Sequence, residues 1–183
     1  TLMEQGYYQQ SKNYILYRSE HTRRRELRGR IAAYFDDSAV LEATLRKIQH
    51  DFPGEGYGLD RLEERFVSFL KSDMPRQEKR DMLVKAAVEL TTQQAPQWEL
   101  IAGRLLMLKF HAELKPVLEE YGLKCFADKV RFLAGHGLYG AYIPEHYTQA
   151  ELAEAETFIV PARNELLNYS RLDLLLRRYV IRS

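Results

Sequence analysis

A glycine-rich segment is the first candidate for chemistry. Gly135-His-Gly-Leu-Tyr-Gly140 has the spacing of a turn that cradles the phosphates of a dinucleotide. Such a turn follows a strand and opens a helix at its third glycine. Here the preceding residues have helical periodicity, and Pro144 stops an immediate helix afterwards. The pattern favours a helix C-terminus followed by a turn, and phosphate binding is the weaker alternative.

The histidines and the single cysteine are candidates for metal ligands and nucleophiles. The five histidines are His21, His50, His111, His136 and His146. None is three or four residues from another, and Cys125 is not close to any of them, so a zinc site is not favoured. No Glu-x-x-His step of a di-iron bundle occurs. Since Lys124 and Phe126 suggest no positioned base, Cys125 is interpreted as a small buried apolar residue rather than a nucleophile. We therefore predict no catalytic, cofactor-binding or metal-binding residue in this chain.

An arginine cluster could bind phosphate or RNA. It comprises Arg18, Arg23, Arg24, Arg25, Arg28 and Arg30. However, Glu20–Arg24 and Glu26–Arg30 have the i,i+4 spacing of ion pairs on a helix surface. Residues 20–30 contain no aromatic side chain on which a base could stack. The cluster is thus interpreted as a solvated helix face that docks a neighbouring domain, with RNA binding as the weaker alternative.

The segment Ala95–Phe110, APQWELIAGRLLMLKF, combines a helix start at Pro96 with apolar residues on nearly all sides. A helix of this kind is expected to be central and buried. Arg104 lies inside it, and a buried guanidinium needs a carboxylate or several acceptors. For Arg104 and Arg163 we favour a buried ion pair that joins helices, and contact with a ligand is the alternative.

The segments that carry these residues have the apolar periodicity of helices. This pattern predicts an all-α, multi-helix orthogonal or bundle-like domain preceded by a long helix. Asp36-Asp37-Ser38 and Thr148 with Glu151 are candidate helix caps. Val180-Ile181 is a candidate first step of a strand. The predicted helices cover residues 4–31, 40–48, 59–70, 72–90, 96–112, a short turn between 116 and 122, 126–133, and 161–178 with a break near Ser170.

Composition narrows the class of protein. With 183 residues and 45% hydrophobic content, the chain suits one domain, or one domain with an appendage. A net charge of +1 gives no general attraction to nucleic acid or anionic membrane. Because there is no long apolar run, no signal peptide and one cysteine, we expect a cytoplasmic protein. A start without methionine and an apolar C-terminal run suggest a piece of a longer chain.

Three segments together resemble a known family. Trp98 after Ala-Pro, followed by IAGRLL, is similar to the N-terminal helical domain of the large (alpha) subunit of ribonucleotide reductase. Tyr142–Phe158 and Arg163–Arg182 resemble two later segments of that domain in order and spacing. The resemblance implies five signature residues, namely Trp98, Arg104, Arg163, Tyr169 and Tyr179. One departure is Asn164, where the family usually has Asp after the arginine.

The N-terminal residues resemble a different module. Gly6–Arg28 is similar to the last helix of an ATP-cone, a regulatory nucleotide-binding module. The resemblance thus implies a division into residues 1–30, the end of an ATP-cone, and residues 31–183, the helical domain. Since only this last helix is recognised, no tight ATP binding by the chain itself is expected.

The resemblance implies a parent enzyme, an oxidoreductase that reduces ribonucleotides to deoxyribonucleotides through a cysteine thiyl radical and a redox cysteine pair. That chemistry needs three cysteines in a barrel, so this chain, with one, should be an inactive scaffold between the ATP-cone and the barrel. The implied effectors are ATP and dATP, and the radical source is a metal-bearing beta subunit or adenosylcobalamin. The implied partners are the rest of its own chain, a radical-generating small subunit, thioredoxin or glutaredoxin, and a second large subunit. We expect neither nucleic acid nor membrane as a partner. The alternative function is a free-standing helical adaptor.

Overall fold

The computed structural model describes residues 2–180 of the chain, with side chains from residue 6 onward. This part of the chain is helical and contains no strand, which confirms the all-α prediction. Its α-helices are α1 (Leu2–Ala32), α2 (Ser38–Asp51), α3 (Leu59–Val67), α4 (Arg76–Glu89), α5 (Trp98–Glu120), α6 (Phe126–Gly135), α7 (Tyr142–His146), α8 (Gln149–Thr157) and α9 (Tyr169–Arg178). Two 3-10 helices cover Glu55–Tyr57 and Pro161–Leu166.

The helices form two compact units, one ending at Trp98 and one beginning at Glu99. The first unit contains α1 to α4, and the second contains the rest of α5 and the later helices. The predicted division at residue 30 stays a prediction, and α1 continues through that position to Ala32 without a break. Among residues 2–180, no helix combines the length and the apolar character needed to cross a membrane.

The core of the first unit lies where the C-terminal end of α1 packs on α2 and α3. Burial of apolar side chains drives this packing at roughly 25 cal/mol per Å² of surface removed from water. Phe66 is fully buried, with the Phe35 ring stacked on it at 5.8 Å and the Tyr34 ring edge-on at 5.5 Å. The other fully buried large side chains of α1 to α3 are Ile31, Leu45, Ile48, Leu59 and Leu62.

The acidic pair before α2 differs from its predicted role. Asp37 occupies the N-cap position, but its side chain makes no capping hydrogen bond. Instead it accepts a 2.7 Å hydrogen bond from Arg80, and Asp36 pairs with Arg76. The prediction of a capping cluster is wrong for these two carboxylates, because arginines on one face of α4 compete for them.

Three helix boundaries also differ from prediction. Helix α5 passes through Pro116 and ends near Gly122, whose φ of +64° lets Leu123 N–H donate to the Leu118 carbonyl. The predicted separate helix between residues 116 and 122 is therefore wrong. The prediction that Pro144 stops an immediate helix is wrong, because Pro144 lies inside the first turn of α7, where no intrahelical N–H is needed. Helix α4 begins at Arg76 rather than near residue 72.

Helix α5 is only partly central. Its first two turns are mostly buried, with Ile101 and Ala102 fully so, whereas most residues from 111 to 120 are exposed. The prediction of a helix buried on all sides therefore holds for the segment around IAGRLL and is wrong for the C-terminal half. In the second unit a smaller cluster of Ala127, Val130 and Leu152 holds α6 against α8.

Candidate functional site

Trp98 is the best anchored of the five signature residues. It is the first residue of α5 and its side chain is fully buried. The indole Nε1–H donates to the carbonyl oxygen of Gly56 at 2.9 Å, and the Tyr57 ring lies 6.1 Å from the indole. A buried indole needs such an acceptor, so this hydrogen bond fixes the 3-10 helix Glu55–Tyr57 against the tryptophan.

Within the second unit, the backbone of α5 at Gly103 comes into close contact with the chain that enters α9. A Cβ atom on Gly103 would lie 2.3 Å from the carbonyl oxygen of Leu167 and 3.0 Å from the backbone nitrogen of Tyr169. Nearby, the Ser170 hydroxyl donates to the Glu99 carboxylate at 2.6 Å. Tyr169 is the first residue of α9, and Asn168 caps that helix by accepting from Arg171 N–H at 3.0 Å. The glycine in IAGRLL therefore permits the chain entering α9 to touch α5. We call these residues, Glu99, Gly103 and 167–170, the α5–α9 junction.

The other signature residues differ in burial. Arg104 is half-buried and interacts with its surroundings, so the choice between an ion pair and a ligand contact stays a prediction. Arg163 is exposed in the 3-10 helix Pro161–Leu166, so the buried ion pair predicted for it is wrong. Tyr179, the C-cap residue of α9, is 71% exposed. Of the candidate first step of a strand, Val180-Ile181, the residue Ile181 lies outside the described residues. Arg182, the last residue of the family-like segment Arg163–Arg182, lies outside them too.

Two carboxylates cap helices in the second unit. Glu151 accepts from Thr148 N–H at 2.8 Å while the Thr148 hydroxyl accepts from Glu151 N–H, which confirms the predicted capping box. That backbone hydrogen bond lowers the pKa of Glu151. Asp128 accepts from Cys125 N–H at 3.0 Å at the start of α6, and this bond lowers the pKa of the Asp128 carboxyl. Cys125 is a half-buried N-cap residue, a role that its sequence context did not indicate.

The glycine-rich segment forms a turn, as predicted. Helix α6 ends at Gly135, Gly137 has a φ of +70°, and Leu138 N–H donates to the Leu133 carbonyl at 2.9 Å. No strand precedes it in the described chain, so the context of a dinucleotide site is missing. Among the described residues, no group of three or more His, Cys, Asp or Glu side chains is arranged to hold a metal ion.

The arginines of the N-terminal cluster differ from one another in burial and in the residues with which they pair. Arg24 pairs with Glu20 as the spacing predicts, whereas Arg30 donates two hydrogen bonds of 2.6 and 2.7 Å to Glu63 on α3. The bond to Glu63 raises the pKa of Arg30. Arg28 is only 8% exposed, so the prediction of a solvated face is wrong for this residue. Because residues 23–30 are mostly charged, their composition did not indicate that one of these arginines would be buried.

Comparison with known proteins shows that the chain is similar to alpha subunits of one kind of enzyme. No protein-family model matches it. It is 46% identical over 183 residues to the ribonucleoside-diphosphate reductase subunit alpha of Treponema pallidum, a match that covers all of the chain and 22% of that protein. The enterobacteria phage T4 subunit alpha is 25% identical over 155 residues, covering 84% of the chain and 19% of that protein. The Escherichia coli subunit alpha is 26% identical over 103 residues, covering 56% and 13%.

The chain spans about a fifth of the length of these first two relatives. The match to the Treponema protein extends over both compact units, so each unit has a counterpart in that relative. Along its whole length, this chain is homologous to part of a ribonucleoside-diphosphate reductase alpha subunit.

Proposed function

We propose that the chain is a segment of a ribonucleoside-diphosphate reductase alpha subunit, an oxidoreductase that converts ribonucleoside diphosphates into deoxyribonucleoside diphosphates for DNA synthesis. The observation that carries this proposal is the 46% identity over all 183 residues to a protein of that name. The name of that relative, a ribonucleoside-diphosphate reductase, also supports diphosphates rather than triphosphates as substrates. The cytoplasm is the proposed location.

Within such an enzyme the segment acts as a scaffold. Reduction through a thiyl radical and a redox cysteine pair needs three cysteines, and the chain has only Cys125. That thiol lies at the start of α6, where the adjacent backbone N–H is engaged by Asp128. The close contact at Gly103 and the buried hydrogen bond of Trp98 instead favour a role in holding helices at fixed positions. By itself the segment should not turn over substrate.

The proposal includes regulation through the N-terminal helix. Residues 1–30 would belong to an ATP-cone that responds to ATP and dATP, and the helical domain would pass its state to the rest of the subunit. Exposed apolar and aromatic side chains on α1 support a neighbouring module that covers this helix, because extensive exposed apolar surface is typical of an interaction site. They are Tyr7, Tyr8, Tyr14, Ile15, Leu16 and Tyr17, each between 56% and 71% exposed.

The proposed partners follow from the parent activity. The radical would come from a metal-bearing beta subunit or from adenosylcobalamin, and thioredoxin or glutaredoxin would return electrons. The large subunit would also pair with a second copy. A free-standing helical adaptor, the alternative function, is not favoured by a match to a reductase subunit that covers the whole chain.

The proposal is tested on the complete polypeptide encoded by the gene that contains this sequence. We expect a reading frame of several hundred residues with further cysteines, and conversion of CDP to dCDP when a dithiol and a radical source are supplied. The 183-residue chain, assayed in parallel, should form no dCDP. A short reading frame, or a complete protein that binds CDP without reducing it under any radical source, would refute the proposal.

A further inference from the structure

An apolar cavity of ≈ 340 Å³ lies among α6, α7 and α8 in the second unit. Its floor consists of Val130 and Leu152, two buried side chains of the cluster that holds α6 against α8. Glu151, at the start of α8, also lines it. The other lining side chains are apolar or aromatic and keep contact with solvent, namely Phe126, Tyr139, Ile143, Tyr147 and Ala155. The core of this unit is therefore open to solvent on one side.

The apolar surface continues past the C-terminal end of α8. Leu152, Ala155 and Ile159 are three and four residues apart, so they follow one side of the helix. The helical path reaches Ile159, because its N–H donates to the Glu156 carbonyl oxygen at 3.0 Å. Ile159 is 53% exposed, and the adjacent Phe158 is 75% exposed. We call the cavity together with Phe158 and Ile159 the α6–α8 groove, an exposed apolar surface of the kind that marks an interaction site.

The charges beside the groove have one sign. Residues 132–162 contain four glutamates and no lysine, arginine or aspartate. Helical geometry places Glu154 and Glu156 on the two flanks of the side of α8 that faces the groove, and neither forms an ion pair within the described part of the chain. Lys129 and Arg131 on α6 are the basic residues that precede this segment, and neither lines the cavity. An apolar groove with a negative rim favours a partner that carries both apolar and basic side chains.

We propose that the α6–α8 groove binds a basic amphipathic helix, with apolar side chains in the cavity and lysine or arginine side chains paired with Glu154 and Glu156. Strand addition is not available, since the described chain contains no strand whose edge could pair. A helix with apolar residues at i, i+3, i+4 and i+7 is a common ligand of such a groove. Opposite charges at the rim speed association and fix the register of the bound helix. The proposal goes beyond the reductase function and does not depend on it, because it follows from the geometry and charge of the second unit alone.

The first experiment measures binding of a fluorescein-labelled model peptide to the full chain by fluorescence anisotropy. The probe is a helix of leucine and lysine, about five turns long, with its leucines on one face. One control peptide has glutamate in place of lysine, and the other has the same composition with its leucines spread around the helix. We expect saturable binding of the probe, at least about tenfold tighter than that of either control. Absence of saturable binding, or equal binding of a control peptide, would overturn the proposal.

A pair of alanine variants on α8 locates the binding site. Ala155→Arg places a long cationic side chain in the open groove, so it should weaken binding of the probe at least about tenfold. Ala153→Arg adds the same charge at an exposed position of the same helix that does not line the cavity, and should change the affinity less than about twofold. Circular dichroism of both variants separates loss of the site from loss of the fold. Equal weakening by the two variants would contradict the assignment of the groove.

A second pair of variants tests the negative rim. The double change Glu154→Gln with Glu156→Gln should weaken binding of the probe at least about threefold and make it less dependent on salt. Glu119→Gln with Glu120→Gln, which removes two exposed carboxylates from α5, should change it less than about twofold. Equal effects of the two pairs would show a general attraction to negative charge and overturn the proposal.

The other occupant to test is a second copy of this chain. Sedimentation velocity should show a monomer, whose groove is free for the basic helix. A dimer that Ala155→Arg dissociates would assign the groove to a second copy and overturn the proposal.

Discussion

Gly103 meets the carbonyl oxygen of Leu167 so closely that a Cβ atom at position 103 would lie 2.3 Å from it. The contact joins two segments of the second unit that are far apart in the sequence, and both belong to the segments by which the family is recognised. A glycine is required here by close approach rather than by its φ angle, since Gly103 is an ordinary helical residue.

Gly103→Ala should therefore destabilise the chain by about 1–3 kcal/mol, because the added methyl group forces the backbone of residues 167–169 away from α5. The matched control is Gly29→Ala in α1, where nothing lies within 4 Å of the added Cβ. That change should be neutral or stabilising by up to ~1 kcal/mol. Urea denaturation followed by circular dichroism measures both, and equal effects would contradict the close contact.

Trp98→Phe should cost roughly 2 kcal/mol of unfolding free energy, because it removes the donor to the Gly56 carbonyl and leaves unfilled space in the core. Tyr57→Phe is the control, since it keeps a ring beside the indole and removes only a hydroxyl. Its effect should stay within about 0.5 kcal/mol. A loss for Tyr57→Phe as large as that for Trp98→Phe would show that the indole hydrogen bond is not the anchor.

The capping carboxylates predict a pH dependence. Because the folded-state pKa of Glu151 is lowered by the Thr148 N–H, its contribution to stability is complete above the unfolded pKa of about 4.3. That contribution is lost as the pH falls through the lower folded-state pKa. An NMR titration should place the Glu151 midpoint lower in the folded chain than in urea, with the same direction for Asp128. Identical midpoints in the two states would contradict the hydrogen bonds.

Local signals predicted the elements well. The Thr148 capping box, the glycine turn after α6 and the long helix α1 each follow from neighbouring residues, and each is present in the structure. The break before α9 also falls close to the predicted Ser170, at residues 167 and 168. These features depend on residues within one or two helical turns, which the sequence displays directly.

Contacts between distant residues were not predictable in this way. Asp36 and Asp37 have the composition of a helix cap, but Arg76 and Arg80 compete for them from a later helix, α4. Arg28 looks like its exposed neighbours in the sequence, and only the packing of α2 buries it. The reason for Gly103 likewise becomes visible only when residues 167–169 lie against α5.

The proposed regulatory role of α1 gives a prediction for the complete protein. Removing the module up to residue 22 should abolish control by ATP and dATP while leaving basal reduction of CDP. The deletion keeps the buried C-terminal end of α1, which packs on α2 and α3, so the helical domain would keep its fold. The readout is dCDP formation with and without dATP, with the undeleted protein as control. Unchanged dATP control in the deleted protein would refute the assignment of residues 1–30 to an ATP-cone.

The most direct measurement of the central claim is a segment exchange. The 183 residues replace the matching 22% of the Treponema pallidum alpha subunit, to which they are 46% identical, and dCDP formation is measured with that enzyme's own radical source and reductant. We expect the chimera to reduce CDP, and the same chimera carrying Gly103→Ala to be less stable. A chimera that folds, binds CDP and yet forms no dCDP would contradict the claim that this chain is a reductase scaffold.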